Sequence, residues 1–187
     1  MIKDKFVDQQ GIYLLSHSVG LPLKTAQASA DESFWQPWVV GGESIWDYWL
    51  REIERFRELL GELLNSEASY FCPQTTISSA VNKIIFSLAP STHQNIILMS
   101  EEDFPSVAYA LQKSHSLGYQ MRYIPAGLDL SDLSIWDQYL TDDVALVLVT
   151  QVQSNNGVQL PIKAVTEMAA QRSIKSLVDI AQGVGII

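Results

Sequence analysis

The sequence predicts an α/β protein, with three α/β/α layers around a mainly parallel sheet. Three observations carry that expectation. Beyond residue 70, short β-rich runs alternate with segments of helical periodicity, the pattern of successive βαβ units. The run VALVLVTQV (144–152) has the β-branched content of a buried strand. With 187 residues, 47% of them hydrophobic, the chain is long enough for a real core. Right-handed crossovers between parallel strands then place helices on both faces.

The elements follow in order. Residues 1–43 read as an irregular arm rich in Gly, Pro and Trp. Ser44 fits an N-cap, with Asp47 three residues on. Trp46, Trp49, Ile53, Phe56, Leu60 and Leu63 recur at steps of three and four, which makes one apolar helical stripe and assigns both tryptophans to core packing. Asn65 suits the helix stop. Residues 75–89 read as a helix, NIILMS (95–100) as a strand, and 106–118 as a helix. YQMRYIP is a strand and LSDLSIWDQYL a helix. After the 144–152 strand, PIKAVTEMAAQR is a helix opened by proline, and SIKSLVDIA is another strand. There is no internal repeat and no low-complexity linker.

Composition excludes several classes. The net charge of −9, with no run of Lys or Arg, argues against a nucleic-acid partner. The polar start MIKDKFVDQQ lacks the apolar core of a signal peptide, and no apolar stretch approaches the roughly 20 residues that span a bilayer. The single cysteine, Cys72, has no internal disulfide partner. A cytoplasmic location without membrane contact is expected. No HExxH, CxxC pair or carboxylate cluster points to a metal.

In open α/β sheets, ligands bind beyond the carboxyl ends of the strands. Three polar clusters fall there: Ser100 to Phe104, Gln151 to Gly157, and Asp179 with Gln182. A carboxylate with apolar neighbours, as at Asp179, is costly unless paired. Its partner is either a cation such as a protonated ring nitrogen, or nearby loop amides and the next helix start. Thr75, Thr76, Ser78 and Ser79 crowd a helix start, where phosphate binds well and where ordinary capping is equally at home. The sequence there is not a Walker loop. Phe104, before Pro105, can stack on a flat heterocycle or cover the sheet. Asn155, Asn156 and Gly157 suit a tight turn, and an Asn there can also donate to a ligand oxygen. His17, in LLSHSVG, is either an acid, base or substrate contact, or a loop histidine with no role. His93 and His115 fit surface positions.

Taken in order, GIYLLSHSVGLPLK, PWVVGGESI, TTISSAVNKIIFSL, EEDFPSVAYAL, LVLVTQVQSNNGVQLPI and LVDIAQGVG resemble the N-terminal part of a fold-type I pyridoxal-phosphate enzyme of the class V aminotransferase group, closest to kynureninase. The resemblance implies that residues 44–187 form the first part of a PLP-binding large domain, preceded by the arm 1–43. It implies pyridoxal 5′-phosphate as cofactor, an amino acid as substrate, and a homodimer. Thr75 and Thr76 would hold the phosphate, Phe104 would stack on the pyridine ring, and Asp179 would pair with the ring nitrogen. Gln182 would lie near the phenolic oxygen, with Asn155 on the same side, and His17 and Ser18 would line the substrate side. The cofactor is an electron sink only with its ring nitrogen protonated, and a buried carboxylate favours that proton.

The chain departs from kynureninases at two positions. They carry Asp where Val107 stands and His where Gln182 stands, and both changes lean toward cysteine desulfurases. SNNGVQLP fits the kynureninase spacing but lacks its usual tyrosine and threonine. The Schiff-base lysine of the family lies beyond the next strand, so the chain is expected to be a fragment, inactive alone, of a PLP-dependent enzyme. Kynureninase-like hydrolytic side-chain cleavage is the leading activity. Desulfurase or aminotransferase chemistry, or a non-catalytic degenerate relative, are the alternatives.

Overall fold

The computed structural model describes residues 2–42 and 44–186. Met1, Ile187 and Glu43, the last residue of the expected arm, lie outside the described residues. Two compact units divide the chain, Met1–Pro73 and Gln74–Ile187, so the composition boundary at 43/44 falls inside the first.

The first unit is more helical than its composition predicts. After a bridge between Phe6 and Leu23 come α1 (Ala26–Ala30), a π-type turn (Asp31–Trp35) and α2 (Gln36–Val40). Pro37 sits in the first turn of α2, where its missing N–H has no cost. Aromatic rings stabilise the run. Phe34 stacks on Trp49 at 5.2 Å, and Trp35 on Trp38 at 5.7 Å. The long helix α3 spans Ile45–Leu64 and ends at Asn65 in the left-handed conformation. Ser44 occupies the N-cap position, yet its side chain makes no capping bond, so the expected reciprocal cap does not form. The apolar stripe is real in spacing but only partly buried. Trp46, Ile53, Phe56 and Leu63 are 48–67% exposed, which corrects the expectation that they are core, whereas Trp49 and Leu60 are half-buried and Trp49 packs against Phe34. Periodicity says which residues share a face; it does not supply the surface that covers it. Arg57 Nε ties α3 to the turn at Ala68–Tyr70, donating to the carbonyls of Ala68 (3.1 Å) and Phe71 (2.9 Å).

The second unit is the α/β body. Its elements are α4 (Ile77–Ser87), β1 (Ile96–Ser100), α5 (Pro105–Gln112), β2 (Gln120–Ile124), α6 (Leu133–Tyr139), β3 (Val144–Thr150), α7 (Ile162–Gln171) and β4 (Lys175–Asp179). All strand pairs are parallel, in the order β2-β1-β3-β4. The helix expected over 106–118 is α5 followed by a 3-10 turn over Lys113–Leu117, and Gly118 closes it at φ +96°.

Period-two alternation sends the strand side chains to two cores. Ile96, Leu98, Val147 and Val149 face one core with Trp136 of α6 and Val165 and Ala169 of α7. Ile97, Met99, Leu146 and Leu148 face the other, with Val81 and Ile85 of α4 and Val107, Ala110 and Leu111 of α5. β1 and β3 are central and buried, which is why they read as unbroken apolar runs. The sole polar residues of these two strands, Ser100 and Thr150, are their last. Each strand therefore delivers a hydroxyl to the carboxyl edge of the sheet.

Candidate functional site

At that edge β3 and β4 end level, with Thr150 beside Asp179, and the amide of Gln151 donates to the Asp179 carbonyl at 2.7 Å. The Asp179 side chain is half-buried. Its Oδ1 accepts the Ala181 amide at 3.0 Å, so the loop-amide reading holds for one oxygen. Among the described residues Oδ2 has no hydrogen-bond donor. Among the described residues, Asp179 is the one ionisable group in the wall of a hollow of about 370 Å³, otherwise lined by apolar groups that include Ile77, Ala80, Val107, Leu148 and Val184.

That wall draws on four elements, α4, α5, β3 and β4. Ile77 opens α4, and the preceding residue, Thr76, is its N-cap in extended conformation. Thr76 Oγ1 accepts the Ser79 amide at 3.1 Å, which leaves its own hydrogen free to donate and leaves the amides of Ile77 and Ser78 without an intrahelical acceptor. Thr75 and Thr76 are both exposed. Val107 lies in the first turn of α5, and its amide donates to the carbonyl of Phe104 at 3.0 Å. Phe104 is the α5 N-cap and is 51% exposed.

The remaining expected residues are placed as follows. Gln182 is half-buried in the turn after β4, where Gly183 packs so tightly that a Cβ would meet the Gln151 carbonyl at 3.0 Å. Asn155 is exposed in the turn after β3. Its neighbour Asn156 makes the bonds, donating from Nδ2 to Glu102 at 3.1 Å and accepting the Val158 amide at 2.9 Å. Gly157 sits at φ +74° and closes this turn. His17 and Ser18 belong to the first unit and are exposed.

One group at this edge escaped sequence reasoning. Asp103 is 6% exposed and accepts three bonds: from the Ser100 amide (2.8 Å), Thr150 Oγ1 (2.7 Å) and Gln153 Nε2 (3.2 Å). Burial pushes its carboxyl above the ordinary carboxylate range. The bonds from Thr150, Ser100 and Gln153 pull it back, and the charge of Asp179 adds to the push. Flanked by Glu102 and an aromatic residue, Asp103 looks in sequence like one more surface acid. The only available signal was Thr150, a hydroxyl ending a buried strand.

Among the described residues no helix is long and apolar enough to cross a membrane, and no cluster of His, Cys, Asp and Glu could hold a metal ion.

Comparison with solved structures first defines the class. The cystine C-S lyase C-DES, solved with its reaction product cysteine persulfide, superposes with a TM-score of 0.80 at 17% identity, over 90% of this chain and 47% of that one. The cysteine desulfurase CsdA of Escherichia coli gives 0.77 at 17%, over 98% and 48%. A C-DES mutant was solved with glycine covalently linked to its PLP cofactor. The fold is thus that of the fold-type I PLP-transferases. The particular family follows from sequence: the aminotransferase class-V model matches residues 35–187, and the chain belongs to that family. Among curated relatives, the kynureninases of Deinococcus radiodurans and Bacillus thuringiensis subsp. konkukian are 27% and 29% identical, over 93% and 98% of this chain. The chain spans 43% and 45% of their lengths.

Proposed function

We propose that this chain carries the cofactor-binding portion of a PLP-dependent enzyme acting on an amino acid, with kynureninase-like hydrolytic side-chain cleavage as the activity of the whole protein, working as a homodimer. In this reading residues 44–187 belong to the cofactor-binding domain and residues 1–43 are an accessory arm. The observation that carries the reading is Asp179: a carboxylate with one oxygen unpartnered, set in an apolar wall that also contains the first turns of α4 and α5. A cationic ring nitrogen suits that oxygen, and the donor-rich start of α4 suits a phosphate. The residues present therefore fit the cofactor.

When bound, pyridoxal phosphate supplies an electron sink for carbanion chemistry at the substrate α-carbon. The protein's share is binding and electrostatics. The amides of Ile77 and Ser78 and the Thr76 hydroxyl bind the phosphate dianion, with Thr75 flanking them. Asp179 holds the proton on the pyridine nitrogen, and the apolar wall strengthens that attraction by excluding water. Phe104 offers a ring face for stacking. Gln182 donates to the phenolic oxygen, with Asn155 on the same side.

Cysteine desulfurase-like chemistry is the second reading, favoured by Gln182 and by Val107. Val107 is 2% exposed and leaves that wall without the carboxylate kynureninases carry there.

Titration of the full chain with pyridoxal phosphate, followed by visible absorbance, tests the reading. Wild type is expected to bind. Asp179→Ala is expected to bind at least about tenfold more weakly, since one pKa unit at the ring nitrogen is about 1.4 kcal/mol. Equal binding by the variant would remove Asp179 from the role assigned to it. A spectral change of the bound cofactor on adding kynurenine, but not cysteine, favours the first activity over the second.

A further inference from the structure

The β1–α5 turn carries three successive acids, and each reaches a different neighbour. Glu101 Oε2 accepts the Ala126 amide (2.9 Å) in the loop after β2. Glu102 Oε2 accepts from Asn156 (3.1 Å) in the loop after β3. Asp103 binds back to Ser100 and across to Thr150 and Gln153. The links of Glu101 and Glu102 lie nearer solvent and hold weakly. Those of Asp103 are shielded, and bonds to a buried charge are the strong ones. Phe104 follows directly. Its ring is half-exposed and makes no ring–ring contact among the described residues, so the backbone it hangs from has a large share in where it lies.

We propose that Asp103 is a positioning residue for Phe104: its carboxylate fastens the end of β1 to the end of β3 and thereby fixes where the aromatic face is presented. This rests on the cofactor-binding reading above. The residue type is what the task requires. Only a carboxylate accepts at both oxygens, one toward Ser100 and one toward Thr150 and Gln153. An asparagine would turn an N–H toward one of those donors. Gln153 supports the same joint. Its amide is buried, with Nε2 spent on Asp103 and Oε1 left without a partner among the described residues. The competing account is electrostatic, with Asp103 acting on the cofactor only through its charge beside Asp179.

A double-mutant cycle in pyridoxal phosphate affinity separates the two, using the full chain as wild type, Asp103→Asn, Phe104→Ala and the double variant, with urea midpoints recorded for each. Positioning predicts that Asp103→Asn weakens binding about tenfold when Phe104 is present, and less than about twofold when it is alanine. Thr150→Val, which keeps the carboxylate and removes one donor, is the second variant should Asp103→Asn not fold; it is expected to show the same coupling at smaller size. Equal losses in both backgrounds, or no loss in either, overturn the positioning role while leaving the cofactor reading intact. Failure of the wild type to bind overturns both.

Discussion

Replacing Thr150 with valine removes one hydroxyl from the dry end of β3 while nearly conserving side-chain volume. The bond lost is 2.7 Å long and joins two groups that are 4% and 6% exposed, so solvent screening does little to weaken it. A hydrogen bond to a charged group contributes about 1.5–3 kcal/mol. A buried methyl in place of the hydroxyl returns about 0.8 kcal/mol. The net cost near neutrality is about 1–2 kcal/mol. Its pH dependence follows from Asp103. Burial raises that carboxyl above 3.8, so its contribution to stability is fully present below 3.8 and is lost as pH rises through the raised folded value. The Thr150 bond lowers the folded value; removing it raises that value further and deepens the loss at neutral pH. Once the carboxyl is protonated, the variant and the wild type converge. Urea unfolding of both proteins near neutrality and below pH 3.8 measures this, with unchanged m-values securing the comparison. A deficit that is equal at the two pH values, or larger in acid, would refute the reasoning.

Two further outcomes are expected. Arg122 grips Asp143 with both terminal nitrogens, at 3.0 and 2.6 Å, and together with Thr141 holds its carboxyl at about 2. That contribution is present above 3.8 and lost as pH falls through about 2; with the Asp143 side chain 45% exposed, it is held to about 1 kcal/mol or less. Arg122→Gln should move the Asp143 titration, followed by NMR, up toward 3.8, and a carboxyl still near 2 would exclude Arg122 as the main cause. In the first unit, a Cβ on Gly61 would lie 2.7 Å from the Ser66 carbonyl, a backbone atom that cannot swing aside. Gly61→Ala should therefore lower the melting temperature despite the gain of up to about 1 kcal/mol in helix propensity, and a raised one would show that the turn after α3 yields.

The α/β body was legible because its two central strands are covered on both sides, so their burial is written as unbroken Ile, Leu and Val. Helix starts were legible where local chemistry fixes them, as at Thr76 and Pro105. The aromatic helices over 26–40 were not. Their stability comes from ring stacking among Phe34, Trp35, Trp38 and Trp49, and neither turn propensity nor period anticipates it. The partly covered stripe of α3 shows the converse, a strong periodic signal whose burial depends on what packs against it. At the site, the strand-end rule located the neighbourhood of Asp103 but not its burial. Nothing local distinguishes it from Glu101 and Glu102; the difference is made by Thr150 and Gln153, nearly fifty residues further on.

The strand order has a consequence for the site. The chain leaves β1 toward β2 and leaves β3 toward β4, so at the seam between the two central strands the exits turn away from each other. Such a switch point opens a gap on its own, with no residue assigned to make it. What the sequence must add is a closed floor, and the bond between Asp103 and Thr150 spans the seam to provide one. In the proposed cofactor-binding reading, a ligand near that seam would meet a joint ordered by folding rather than by binding.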